Sequence, residues 1–81
     1  MLSDATLEKL VPHIKMVLPK EDYHRLNNML YEVYIVSFSD GDVYVLGDKT
    51  IEAPWLKFDT KTYAFKGIML YEDAVRFGRL I

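Results

Sequence analysis

Residues 31–48, YEVYIVSFSDGDVYVLGD, form two apolar runs hinged on Asp40-Gly41, and no other stretch restricts the possible fold as much. Val33, Tyr34, Ile35, Val36 and Phe38 are β-branched or aromatic, and Asp-Gly is a dipeptide that suits a two-residue hairpin turn. With that turn, Phe38 is expected opposite Val43, Ser37 opposite Tyr44, Val36 opposite Val45 and Ile35 opposite Leu46. Successive side chains alternate between the faces of a sheet. One face then collects Tyr34, Val36, Phe38, Val43 and Val45, while the other collects Val33, Ile35, Tyr44 and Leu46, with only Ser37 and the outlying Asp48 polar. Neither face suits water, so each needs cover.

The helices available to cover it are short. Leu7, Leu10, Val11, Ile14, Val17 and Leu18 recur at i, i+3, i+4, i+7 spacing, which predicts an amphipathic helix capped by Ser3 or Asp4 and running to about Leu18 across Pro12. Pro19 then opens a second helix with Glu21 and Asp22 in its first turn and Tyr23, Leu26 and Leu30 along its apolar stripe. These two helices are expected to form an antiparallel hairpin. After the β-hairpin, further strands are predicted at about Trp55–Phe58 and Thr62–Met69, with Pro54 placing the first at an edge or at its own start. YEDAVRFGRLI closes the chain as a helix that puts Leu70, Ala74, Phe77 and Ile81 on one face. The expected fold class is therefore α+β: an N-terminal helical hairpin, an antiparallel four-stranded sheet and a short C-terminal helix, in one domain over residues 1–81.

Charge and composition narrow the functional classes. Ten Lys and Arg against twelve Asp and Glu give a net charge of −2, too small for a general nucleic-acid binder or an acidic mimic of one. The absence of cysteine leaves no disulfide framework or thiolate metal site and points to a cytoplasmic location. The opening MLSDATLEKL lacks a basic region followed by a continuous apolar run, and no apolar stretch reaches the 18 residues of a membrane span, so no membrane association is expected.

No motif for chemistry stands out. Asp40-Gly41-Asp42 fails as a calcium loop because Tyr44 and Val45 fall where a ligand and a glycine are required. His13 and His24 are eleven residues apart on different predicted helices, whereas helical metal ligands pair at i, i+3 or i+4. Ser37, Ser39, Asp22 and His24 have no spacing that marks a nucleophile and its base, and the four scattered glycines build no phosphate loop. No enzyme activity, cofactor or metal is expected.

Two binding readings remain. A C-terminal helix of about ten residues would be about 15 Å long and shield roughly two strands. Either the helices still cover both faces in a three-layer domain, or part of the face holding Val33, Ile35, Tyr44 and Leu46 stays open to a protein partner. The second arrangement is the expectation. It makes the chain a small regulator, inhibitor or accessory subunit, with a second copy of itself as one partner and Trp55 as a further contact residue, since tryptophan dominates interface energetics. The alternative is single-stranded nucleic-acid binding along residues 49–67, where Lys57, Lys61 and Lys66 interleave with Tyr63 and Phe65. Four lysines offset by Glu52 and Asp59 leave that stretch at only +2, which makes nucleic acid the weaker reading.

Overall fold

The computed structural model describes residues 4–24, 31–48, 50 and 53–80. Helix α1 (Asp4–Val17) is followed by a short 3-10 turn (Lys20–Asp22), strands β1 (Tyr31–Phe38), β2 (Gly41–Asp48), β3 (Trp55–Asp59) and β4 (Phe65–Met69), helix α2 (Tyr71–Phe77) and strand β5 (Gly78–Leu80). The class is α+β with an antiparallel sheet. That sheet has five strands, in the order β4-β3-β2-β1-β5, and not four. The additional strand is taken from the C-terminal helix, which was expected to continue to Ile81 but stops at Phe77, where Gly78 turns the chain into pairing with β1. Of the predicted helical hairpin, α1 is present with Pro12 inside it, while the body of the second helix, with Leu26 and Leu30, lies outside the described residues.

Every neighbouring pair of strands is antiparallel, so β4 and β5 run in the same direction at opposite edges, and α2 is the crossover between them. The crossover is short for its task. Five strands place the two edges about 19 Å apart, whereas seven helical residues rise only about 10 Å. The chain therefore has no slack, and α2 lies close against the sheet. Two small residues permit that approach. Ala74 is fully buried beneath the helix, and a Cβ on Gly78 would stand 2.5 Å from the carbonyl oxygen of Ala74 and 3.1 Å from that of Ile35.

The β1–β2 register differs from the expected one by two residues. Phe38 pairs with Gly41, Val36 with Val43, Tyr34 with Val45 and Val33 with Leu46, with Ser39 and Asp40 in the turn. A type I′ turn centred on Asp40-Gly41 would need positive φ at both residues; in this hairpin it falls on Gly41 alone, at 133°, as the first residue of β2. Because side chains alternate with period two, a two-residue shift changes every partner but leaves each side chain on its expected face.

Both faces are covered, which gives three layers. On the first, Leu10 and Ile14 of α1 pack with Val33, Leu46 and Phe58, joined by Val11, Leu18, Tyr31, Tyr44, Leu56 and Tyr63. On the second, Ala74 of α2 packs with Val36, Val43, Val45 and Trp55, joined by Tyr34 and Met69. Trp55 extends the cover of α2 by lying across Gly47, where a Cβ would collide with the indole ring. The two glycines thus act alike, each removing a side chain from a surface that another group must touch.

The β3–β4 connection is tied by Asp59. Its Oδ2 accepts from the backbone N–H groups of Lys61 (2.9 Å) and Thr62 (2.7 Å), and these bonds hold its carboxyl below the ordinary aspartate value of 3.8. The loop takes Thr62–Ala64 out of the strand predicted for them and leaves Tyr63 at a φ of 62°, a left-handed conformation that few residues other than glycine adopt.

These close approaches set an order of sensitivity. Gly47→Ala and Gly78→Ala are expected to lower stability by about 2–3 kcal/mol through overpacking, and Gly41→Val, which meets open space but a strained φ, by about 1 kcal/mol. Urea denaturation of the three variants checks this. Unchanged midpoints for Gly47→Ala and Gly78→Ala would mean that neither Trp55 nor α2 lies where described.

Candidate interaction surface

Closure of both faces relocates the surface available to a partner. Val33, Leu46 and Trp55, three of the five residues expected to meet a partner, are 2%, 0% and 1% exposed. Ile35 and Tyr44 are half-buried, Tyr44 at the edge of the α1 layer. The face expected to be open is therefore the one that α1 closes. The cause is the length of α1, fourteen residues against the seven of α2.

The residues of the nucleic-acid reading divide between the faces. Lys57 pairs with Val45 on the α2 side, its ammonium 5.6 Å from the centre of the Phe38 ring. Tyr63 and Phe65 are on the α1 side. Tyr63 stacks nearly parallel on Tyr44, 6.4 Å between centroids, with His13 at 6.3 Å, and Phe65 packs 5.7 Å from Phe58. Lys61 is in the β3–β4 loop and Lys66 on β4, both exposed. The Tyr63 ring is thus already stacked within the protein, and Lys57 is separated from it by the sheet.

The exposed apolar residues concentrate elsewhere. Among the described residues, Leu70, Tyr71, Val75 and Phe77 are large, apolar or aromatic, and exposed, and all fall within eight consecutive positions on or beside α2, whereas Ile68 pairs with Leu56 on the α1 side and Met16, Val17, Phe38 and Phe65 are dispersed over α1 and the sheet. Helical geometry explains why. With Ala74 against the sheet, steps of 100° place Glu72 and Arg76 on the outer crown, Tyr71 and Val75 on one flank, and Leu70 and Phe77 on the other. A helix of two turns on a flat sheet buries only the residue beneath it. Both flanks therefore stay partly open, with Leu70 58% and Phe77 63% exposed.

The surface rests on an aromatic base. Trp55 lies 4.9 Å from the Tyr71 ring and 5.7 Å from Tyr34, so the N-terminal turn of α2 is seated on an indole. The indole Nε1 is buried without a hydrogen-bond partner. The Tyr34 hydroxyl donates to Glu32 Oε2 at 3.4 Å. Burial first, and then the negative charge of Glu32, push the Tyr34 phenol above its ordinary value of 10.0. On the crown, Arg76 lies 5.4 Å from the centre of the Phe77 ring, and Glu72 has no ion-pair partner among the described residues.

Other features offer less to a ligand. A cleft of about 100 Å³ lies between Leu18, Tyr31 and the chain around Asp48 and Pro54, smaller than the pockets that take organic ligands. Its buried Asp48 carboxylate accepts from the Thr50 N–H and hydroxyl. Among the described residues no three His, Asp or Glu side chains gather as a metal site, and no helix is long and apolar enough to cross a membrane. Comparison with protein-family models, with characterised proteins and with solved structures yields no match.

The raised Tyr34 phenol carries a sign that can be tested. Above pH 10 the unfolded chain ionises this group while the folded chain resists, so the stability it contributes below that pH is lost as pH rises through its folded value. Alkaline denaturation of wild type against Tyr34→Phe is expected to show a shallower loss in the variant. Identical profiles would mean that Tyr34 is solvated in the folded state.

Proposed function

We propose that this chain is a small non-enzymatic protein-binding module, a regulator, inhibitor or accessory subunit acting in the cytoplasm, and that its contact surface is α2 with its flanks. The observation that carries the reading is the concentration of exposed apolar residues from Leu70 to Phe77, because contiguous apolar patches on small domains mark interaction sites. The mixture also suits a partner surface. Tyr, Phe and Arg are enriched where interfaces hold their energy, and Tyr71, Phe77 and Arg76 supply all three. The sheet edges are poorer candidates, since β5 has three residues and β4 carries a register irregularity and a glycine at a φ of 115°.

A non-enzymatic role is supported by the separation of the reactive groups. Ser37 is on β1, Ser39 in the hairpin turn, and His24 beyond the 3-10 turn with its Nδ1 2.8 Å from the Glu21 carbonyl oxygen. The cysteine-free composition fits a reducing compartment. Nucleic-acid binding is disfavoured by the split of Lys57 from Tyr63 and Phe65.

Affinity capture from the native host with wild type and with Phe77→Asp tests the reading. The expected result is a protein retained by wild type and lost from the variant, with an unchanged melting temperature, because Phe77 is exposed. Equal capture by both would remove α2 as the contact surface. Labelled single-stranded oligonucleotides are expected to show no salt-sensitive binding. Micromolar affinity that weakens with salt and disappears in Lys61→Ala/Lys66→Ala would promote the nucleic-acid reading instead.

A further inference from the structure

We infer that α2 is also a self-recognition element, through which two copies of the chain associate weakly with their α2 helices antiparallel across a two-fold axis; this rests on α2 being the contact surface. The charges on its crown argue for a second copy. Glu72 is in the first turn and Arg76 in the last, both exposed and one helical turn apart, yet they do not pair within the chain: Glu72 has no ionic partner among the described residues, and Arg76 lies over the Phe77 ring. Antiparallel packing of the two crowns, with the two-fold axis at the level of residue 74, sets Glu72 of each copy against Arg76 of the other, so both charges are met twice by one symmetric contact. Parallel packing would oppose like charges.

One flank supplies the apolar part. The two flanks lie on opposite sides of α2, so a partner helix meets one of them: at their observed exposures Leu70 and Phe77 leave roughly 200–250 Å² per copy, and a symmetric contact buries roughly 400–500 Å² of apolar surface, to which the Glu72 and Arg76 stems add. The sum stays well below the lower limit of about 1,200 Å² for stable specific association, which sets the expected affinity at roughly hundreds of micromolar or weaker. The helix macrodipole acts in the same sense, because each N-terminus meets the C-terminus of the other helix.

Sedimentation equilibrium from micromolar to near-millimolar protein, with charge-reversal variants, tests the pairing. Wild type is expected to rise from the 9.5 kDa monomer towards twice that mass. Glu72→Arg and Arg76→Glu, each alone, place like charges in contact and are expected to weaken association at least tenfold. An equimolar mixture of the two is expected to regain it, since the crown of the first variant then carries only positive charge and faces a crown of the second that carries only negative charge. Circular dichroism of each variant verifies the fold, and Glu72→Gln with Arg76→Gln, which introduce no repulsion, are expected to weaken association severalfold should a reversal perturb α2. A monomeric wild type at every concentration overturns the inference, as does a dimer that survives both reversals or a mixture that fails to re-associate. A monomer that still captures a host protein through Phe77 would overturn only the second copy as partner and leave the protein-binding reading standing.

Discussion

A β-hairpin with two apolar faces must be covered twice, and every other element of this protein is arranged around that requirement. β1 and β2 occupy the interior of the sheet, with β3 and β5 beside them, so the middle of each strand is paired on both sides. The faces are closed by unequal means. One receives fourteen residues of α1, which press Leu10 and Ile14 onto Val33 and Leu46. The other receives a helix half as long, and the shortfall is met by an indole laid across a glycine.

That inequality connects the core to the surface. A crossover with no slack brings α2 close to the sheet, and the close approach requires Ala74 and Gly78 beneath it. The same shortness leaves the flanks of α2 incompletely buried. Core packing and exposed patch thus have one cause, the small number of residues between β4 and β5. A longer helix would bury more of its own flanks and present less to a partner.

The face assignment of the hairpin was legible in the sequence because it depends only on alternation, which a two-residue slip preserves. The turn was not, because an Asp-Gly dipeptide serves equally as a turn centre and as the residues flanking one, and Ser39-Asp40 took the centre while Gly41 kept the positive φ. β5 was hidden for a related reason. The apolar spacing of Leu70, Ala74 and Phe77 continues to Ile81 on a helical wheel, and what ends the helix is the backbone contact between Gly78 and β1, a tertiary effect. The expected contact surface falls on the wrong face because the shortage of cover is legible in the sequence, whereas which helix takes which side is not. Val33, Leu46 and Trp55 became core, and the unshielded apolar area emerged on the covering helix itself.

Three-layer closure within one chain is the claim on which the rest stands, and nuclear Overhauser effects measured at low micromolar concentration test it most directly. Contacts are expected from the Leu10 and Ile14 methyls to Val33 and Leu46, together with contacts from the Ala74 methyl to Val36 or Val45 and from the Trp55 indole to the Gly47 α-protons. Observation of the first set with the second absent would show a sheet with one open face, which is incompatible with three-layer closure.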